Sequence, residues 1–286
     1  MAVVAGLVGG RIAPRRDPDL RDLRGRQEAK SGPSRRGRRG RRRERLELKP
    51  LLCVRHEQGD TLGVARAAFQ DEGIPVAVLD AWDARADWPG LDEVAGVLAL
   101  GGAMNVDQVA DFPFLARERD LLREALARGV PVFGVCLGAQ LVARALDEPV
   151  VRAPARNIGF LPISPTAEAS ADPVFSVFAA GDVAFHWNED TCALPPGAVL
   201  MATGQDKSVE AYRAAPVAWA TLFHPEIDGP ELQGWFREVG ADLPRVWGRS
   251  AEELTAEART YLDGHQRRGR ELFRRFGRQV KKARAA

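Results

Sequence analysis

Pro131-Val-Phe-Gly-Val-Cys-Leu-Gly-Ala-Gln140 is the stretch on which the reading of this chain turns. Val132–Val135 is short and unbroken in apolar character, as expected of a parallel strand buried on both faces. A helical pattern, Ala139–Ala145, starts almost at once after Cys136. Gly134 and Gly138 stand two residues to either side of the cysteine. Small neighbours of this kind permit a sharp strand-to-helix turn that lifts the central side chain above the sheet, the layout of a nucleophile elbow. A cysteine at a helix N-terminus also meets the positive end of the helix dipole, which favours its thiolate. The backbone amide of Leu137 would point into the same space, where it can stabilise an oxyanion. Taken alone, the stretch is equally compatible with a buried cysteine acting as a small hydrophobe. Cys53, inside an apolar run, and Cys192, beside Pro195-Pro196, lack the glycine frame and read as structural.

Working outward from the elbow, strand and helix patterns alternate. Leu51–Val54, Val76–Leu79 and Gly96–Leu100 read as strands, and Thr61–Glu72 and Phe114–Arg128 as helices closed by Gly73 and Gly129. This alternation predicts an α/β fold with a mostly parallel open sheet flanked by helices. Residues 150–227 carry shorter elements and more Pro and Gly, with strands expected at Phe160–Ile163, Val183–Trp187, Val199–Ala202, Val209–Tyr212 and Val217–Phe223. Residues 229–240 and 250–283 read as helices, the last strongly basic, and no fixed-period repeat is visible.

A cysteine nucleophile needs a base, and the base needs an orienting group. Trp219-Ala-Thr-Leu-Phe-His-Pro-Glu226 offers both. The apolar run delivers His224 at its end, and Pro225 is expected to keep the chain extended. Residues i and i+2 of an extended chain share a face, so His224 and Glu226 would project together. The carboxylate would then hold the imidazole tautomer and stabilise its charged form. Of the other histidines, His56 follows the first strand, at the edge where loops line the site of an open α/β sheet. A structural or surface role is expected for it. His186 reads as a packed or site-adjacent residue, and His265, in the basic last helix, as solvated.

Composition narrows the class. Apolar residues make up 45% of the 286, and charged residues 28%, as in ordinary globular proteins. No apolar run is long enough to cross a bilayer, and the apolar start, Met1–Gly10, has its charges on the wrong side for a secretory signal. Three scattered cysteines suggest no disulfide framework, no zinc spacing and a reducing, cytoplasmic setting. The net charge of +2 conceals an acidic middle, residues 50–243, with 13 Lys/Arg against 28 Asp/Glu. Residues 1–49 carry 16 basic against 6 acidic groups, and residues 244–286 carry 12 against 5. Residues 1–48, with the Arg/Gly run Arg35–Arg45, bury too little apolar surface to offset ordering entropy and are expected to be disordered. A solvated tail, or sequence upstream of the true start, is the plainer reading. A nucleic-acid arm is the sharper and weaker one, since basic tails alone are its only sign.

Four segments together resemble the class I glutamine amidotransferases, particularly free-standing members similar to the amidotransferase domain of GMP synthetase. They are Leu98-Ala-Leu-Gly-Gly-Ala-Met104, Gly134-Val-Cys-Leu-Gly-Ala-Gln140, Trp187-Asn-Glu-Asp-Thr-Cys-Ala-Leu-Pro-Pro-Gly197 and Phe223-His-Pro-Glu226. The resemblance implies a flavodoxin-like sheet over residues 49–242, between the basic arm 1–48 and a basic helical extension, 243–286. It implies Cys136, His224 and Glu226 as a catalytic triad cleaving the γ-amide of glutamine through a thioester. It further implies backbone amides of Gly102 and Leu137 as the oxyanion hole, and Gln140 with Gly101 as substrate-binding residues. No cofactor or metal is implied. The chain departs from the family's usual segments at Asn188-Glu189-Asp190, Glu210-Ala-Tyr-Arg213 and Gly101-Gly102-Ala103. These changes bear on substrate contacts and leave the triad intact. Three functions follow as expectations: an ammonia-producing subunit serving a separate acceptor-activating synthetase, a stand-alone γ-glutamyl amide or peptide hydrolase, and a catalytically silent regulator on the same fold. No phosphate-binding loop is visible in the sequence, which places any acceptor chemistry on another chain.

Overall fold

A computed structural model of the chain describes residues 48–285. The expectation of disorder for the basic arm therefore falls outside the described residues, apart from Leu48.

In chain order the elements are β1 (Leu51–Arg55), α1 (Val64–Asp71), β2 (Val76–Asp80), β3 (Gly96–Ala99), α2 (Phe114–Arg128), β4 (Val132–Val135) and α3 (Leu137–Ala145). There follow β5 (Val150–Pro162), β6 (Ser164–Pro165), α4 (Ala167–Ala171), β7 (Val183–Cys192), β8 (Val199–Thr203), β9 (Val209–Ala215) and β10 (Ala218–Thr221). Helices α5 (Gly229–Val239) and α6 (Ala251–Ala285) close the chain. The main sheet has the order β2-β1-β3-β4-β10-β9-β8-β6, while β5 and β7 pair separately as an antiparallel ribbon. From β2 to β10 every pairing is parallel; β9, β8 and β6 extend the sheet antiparallel. The fold is thus α/β with a mostly parallel mixed sheet flanked by helices, as the alternation predicts.

The strand period of two divides the core into layers. Leu51, Cys53, Leu98, Phe133, Val135 and Trp219 face one side, against Ala65, Ala68 and Phe69 of α1 and Leu272, Phe273 and Phe276 of α6. Leu52, Val54, Val97, Ala99, Val132 and Ala220 face the other, against Leu115 and Leu122 of α2 and Leu141 and Val142 of α3. Both faces are covered, which is why these strands read as continuous apolar runs.

Three differences have local causes. Helix α1 begins at Val64 rather than Thr61, because Gly63 sits at φ 45° and accepts no helical geometry, while the Thr61 amide is taken by Glu231. Strand β5 starts at Val150, ten residues before the expected Phe160, because Val150, Val151 and Arg152 pair with Cys192, Thr191 and Asp190 of β7 although Val151 and Arg152 are exposed. Cys192, read from the neighbouring prolines as lying in a turn, instead ends strand β7.

The C-terminal helix packs on the domain through its apolar stripe: Leu48–Ala286 is one compact unit, and Leu272, Phe273, Phe276 and Val280 of α6 are fully buried in the sheet's own core. Many of the basic groups of α6 are paired. Arg270 binds Asp71, Arg278 and Lys281 bind Glu72, and Arg274 and Arg275 bind Glu271. Among the described residues no helix is long and apolar enough to cross a membrane.

Candidate active site

The turn at Cys136 is built by the contact between its two glycines. A side chain on Gly134 would lie 2.6 Å from the Gly138 carbonyl oxygen, and one on Gly138 would overlap the Ala99 carbonyl of β3. Helix α3 can therefore start directly above the strand only with glycine at both positions. Cys136, between them, takes φ 49° and ψ −106°, a conformation rarely adopted by residues with a side chain and held here by the close packing around it. Its amide donates to Thr221 of β10, which ties the elbow to the strand leading to His224.

Strand β10 ends at Thr221, and the chain reaches His224 three residues later. Pro225 and Glu226 then form a turn, not the extended segment expected from the proline. The pairing survives because the turn brings the two side chains together: His224 Nδ1 lies 2.7 Å from Glu226 Oε1. The Cys136 side chain lies near enough to the same imidazole to act on its charge. Cys136, His224 and Glu226 are 6%, 3% and 3% exposed. Burial opposes a charge on His224, but the neighbouring groups, the Glu226 carboxylate foremost, outweigh it and raise its pKa well above the ordinary value. Trp235 of α5 packs edge-on against the imidazole, with ring centroids 5.1 Å apart.

Every carbonyl of the His224-Pro225-Glu226 segment is held. His265 Nε2 donates to the His224 oxygen at 2.8 Å, Gly269 of α6 lies against the Pro225 oxygen, and the Val64 amide donates to the Glu226 oxygen at 2.9 Å. The expectation that His265 is solvated is therefore wrong: it is buried, and burial depresses its pKa to about 4. Its signal was in the helical period, since Leu254, Ala258, His265, Gly269, Leu272 and Phe276 fall on one stripe.

Gly101 and Gly102 follow β3 and line the opposite wall. A side chain on Gly101 would lie 2.9 Å from His224 Cε1 and 3.6 Å from Cys136 Cβ, and one on Gly102 would lie 2.8 Å from Leu137 Cδ2. Only glycine leaves this approach open. The amides of Gly102 and Leu137 donate to no acceptor among the described residues. Gln140, one turn into α3, donates through Nε2 to the Asp190 carbonyl at 3.3 Å. Asn188 also donates to that carbonyl, and its own side-chain oxygen is buried without a partner.

The remaining histidines are packed. His186 meets Glu210 at 3.1 Å between β7 and β9. His56 is buried against Glu118 and the Gly101 carbonyl, so its expected structural role acquires a specific address. Behind Glu226 lies a second carboxyl, Glu231, whose Oε1 accepts from the Thr61 amide. Burial, and then the Glu226 carboxylate, push its pKa up to about 9. Neither Glu118 nor Glu231 stood out in the sequence, because the contacts that matter join residues far apart along the chain.

Comparison with known proteins gives a consistent family. Residues 66–235 match the family model described as glutamine amidotransferase class-I. The glutamine amidotransferase-like protein YfeJ of Salmonella typhimurium is 23% identical over 224 residues, covering 77% of this chain and 93% of that protein. A gamma-glutamyl-L-1-hydroxyisopropylamide hydrolase of a Pseudomonas species is 28% identical over 158 residues, 52% of each chain. A glutamine-hydrolyzing GMP synthase subunit of Thermoplasma volcanium is 29% identical over 170 residues, covering 57% of this chain and 77% of that one. Among solved structures, a glutamine amidotransferase from Thermotoga maritima superposes with a TM-score of 0.72 at 23% identity, covering 81% of this chain and 98% of its own.

Proposed function

Because the chain belongs to the class I glutamine amidotransferase family, we propose that it hydrolyses the γ-amide of glutamine and delivers the ammonia to an acceptor held by a separate chain. The observation that carries this reading is the Cys136-His224-Glu226 constellation at the head of the sheet, with the 2.7 Å imidazole–carboxylate bond.

In the proposed reaction the Cys136 sulfur attacks the γ-carbonyl carbon while His224 holds the thiol proton. Glu226, bonded to Nδ1, fixes the ring so that Nε2 faces the thiol and steadies the imidazolium. The oxyanion of the tetrahedral intermediate accepts from the amides of Gly102 and Leu137, two donors with no other partner among the described residues. Collapse breaks the carbon–nitrogen bond, and the departing ammonia takes its proton from His224. A γ-glutamyl thioester on Cys136 remains. Water attacks it, giving its proton to His224, and releases glutamate with the thiol restored. Gln140 and Gly101 form part of the substrate pocket. Delivery to another chain is supported by the likeness to one subunit of a GMP synthase.

A second reading is a stand-alone hydrolase of γ-glutamyl amides using the same groups. Its support is the likeness to the Pseudomonas hydrolase; the departures at Asn188, Glu189 and Glu210 are compatible with either reading. The test is glutamate release by the full-length protein from L-glutamine and from a γ-glutamyl alkylamide, beside Cys136→Ala. Release from glutamine that disappears in Cys136→Ala supports the first reading. Release only from the alkylamide favours the second. No release from either, with no labelling of Cys136 by a glutamine-like electrophile, would overturn both.

A further inference from the structure

His56 sits one residue beyond β1, fully enclosed, with both ring nitrogens engaged. Nδ1 lies 2.7 Å from the Gly101 carbonyl oxygen, and Nε2 lies 2.7 Å from Oε2 of Glu118 on α2. Phe114 stacks on the ring at 5.9 Å, and a side chain on Gly102 would come 2.9 Å from His56 Cβ. A carbonyl oxygen only accepts, so Nδ1 carries the proton in this contact. Glu118 and Phe114, both of α2, reach the ring from the helix layer and together hold its orientation.

The consequence lies in the peptide that joins Gly101 to Gly102. A trans peptide is planar, so its carbonyl and its amide point in opposite directions. A glycine–glycine peptide has little steric preference between its two orientations and would otherwise be free to turn over. With the Gly101 oxygen drawn toward His56, the Gly102 amide must face away from His56. The same peptide runs beside the catalytic groups: a side chain on Gly101 would come 2.9 Å from His224 Cε1 and 3.6 Å from Cys136 Cβ. The amide has no other acceptor among the described residues.

We propose that His56, clamped by Glu118, is a positioning residue that fixes the Gly101–Gly102 peptide so that the Gly102 amide serves as an oxyanion donor. This inference rests on the hydrolytic reading of the site given above. Burial disfavours a charge on His56, yet Glu118 and the Gly101 carbonyl raise its pKa to about 9. Both ring nitrogens therefore carry protons at neutral pH, and the contact with Gly101 is charge-assisted.

The experiment compares wild type, His56→Leu and His56→Asn in the full-length protein. Asparagine can present an N–H near the position of Nδ1; leucine cannot. Losing one oxyanion donor costs about 100- to 1,000-fold in kcat. For His56→Leu the expected result is a kcat lowered about 100-fold with KM within about threefold, as for a donor used in the transition state. Alkylation of Cys136 by iodoacetamide, a displacement that forms no oxyanion, should stay within about twofold of wild type, and His56→Asn should recover at least about tenfold of the lost kcat. The inference is overturned if leucine leaves kcat within threefold, if asparagine restores nothing, or if alkylation falls in step with kcat. Should wild type cleave no γ-glutamyl amide, the hydrolytic reading fails on its own, and crystal structures decide the positioning: a Gly101 carbonyl unmoved in His56→Leu overturns it, and a turned one supports it.

Discussion

His265, near the middle of the C-terminal helix, holds the backbone of His224 through a 2.8 Å bond from its Nε2 to the carbonyl oxygen. One helical turn later Gly269 lies against the next carbonyl, that of Pro225. The family model ends at residue 235, so this support comes from outside the matched segment. Helix α6 thus joins two tasks: its phenylalanines complete the core under the sheet, and its polar stripe residues set the height of the site histidine.

Gly269→Ala tests the close approach. In a free helix this change would stabilise by roughly 1 kcal/mol. Here the new methyl would overlap the Pro225 oxygen, and overpacking of this kind costs about 1–3 kcal/mol. The net expectation is a lower midpoint in urea unfolding and slower glutamate release. A variant as stable as wild type, or more so, would show that the helix does not press on Pro225.

Stability should fall on the acid side through His265. Its folded pKa is depressed to about 4 by burial, against 6.5 in an unfolded chain. Between those values the unfolded chain binds the extra proton, so the contribution is full above pH 6.5 and is lost as pH falls toward 4. The slope from one such group reaches about 1.4 kcal/mol per pH unit. His265→Gln keeps an N–H for the His224 carbonyl and cannot titrate. Urea titrations from pH 7 to pH 4 should give a flatter dependence in this variant; an unchanged slope would remove His265 from the account.

Glu231 acts in the opposite sense. Its folded pKa is raised to about 9, chiefly by burial and then by Glu226. The folded protein retains a proton that the unfolded chain releases near 4.5, so this contribution is full below pH 4.5 and is lost as pH rises through 9. Glu231→Gln can still accept from the Thr61 amide. It should gain stability relative to wild type as pH goes from 5 to 8, measured by the same titrations. A difference independent of pH would mean that Glu231 is ionised in the folded protein.

Glu226→Gln should lower kcat by about 10²- to 10⁴-fold, the range for a base that loses its orienting carboxylate. The raised pKa of His224 depends in part on Glu226, so the imidazole signal in NMR titration should move to lower pH in the variant. A kcat within threefold of wild type would show that Glu226 does not orient the base.

Much of this could be read from local pattern. The elbow announces itself because Gly134, Cys136 and Gly138 are neighbours in sequence as well as in space. The His224–Glu226 bond was legible for the same reason, even though a turn and not an extended strand produces it. The parallel strands were legible because burial on both faces leaves them apolar up to their last residue, as in Leu51–Val54 before Arg55 and Val76–Leu79 before Asp80. By contrast, the start of β5 was hidden, since Val151 and Arg152 are exposed and only the backbone pairing with Thr191 and Asp190 of β7 makes them a strand.

By itself the sequence determined the alternation of strand and helix, the strained turn at Cys136 and the pairing of His224 with Glu226, all of which depend on residues within a few positions of one another. Only the tertiary structure decided that His56 grips the Gly101 carbonyl through Glu118, 62 residues away, and that His265 grips His224 from the last helix. A buried histidine and a solvated one have the same local pattern. What separates them is which carbonyl or carboxylate the packed chain brings to the ring, and that is settled only when sheet and helices close on each other.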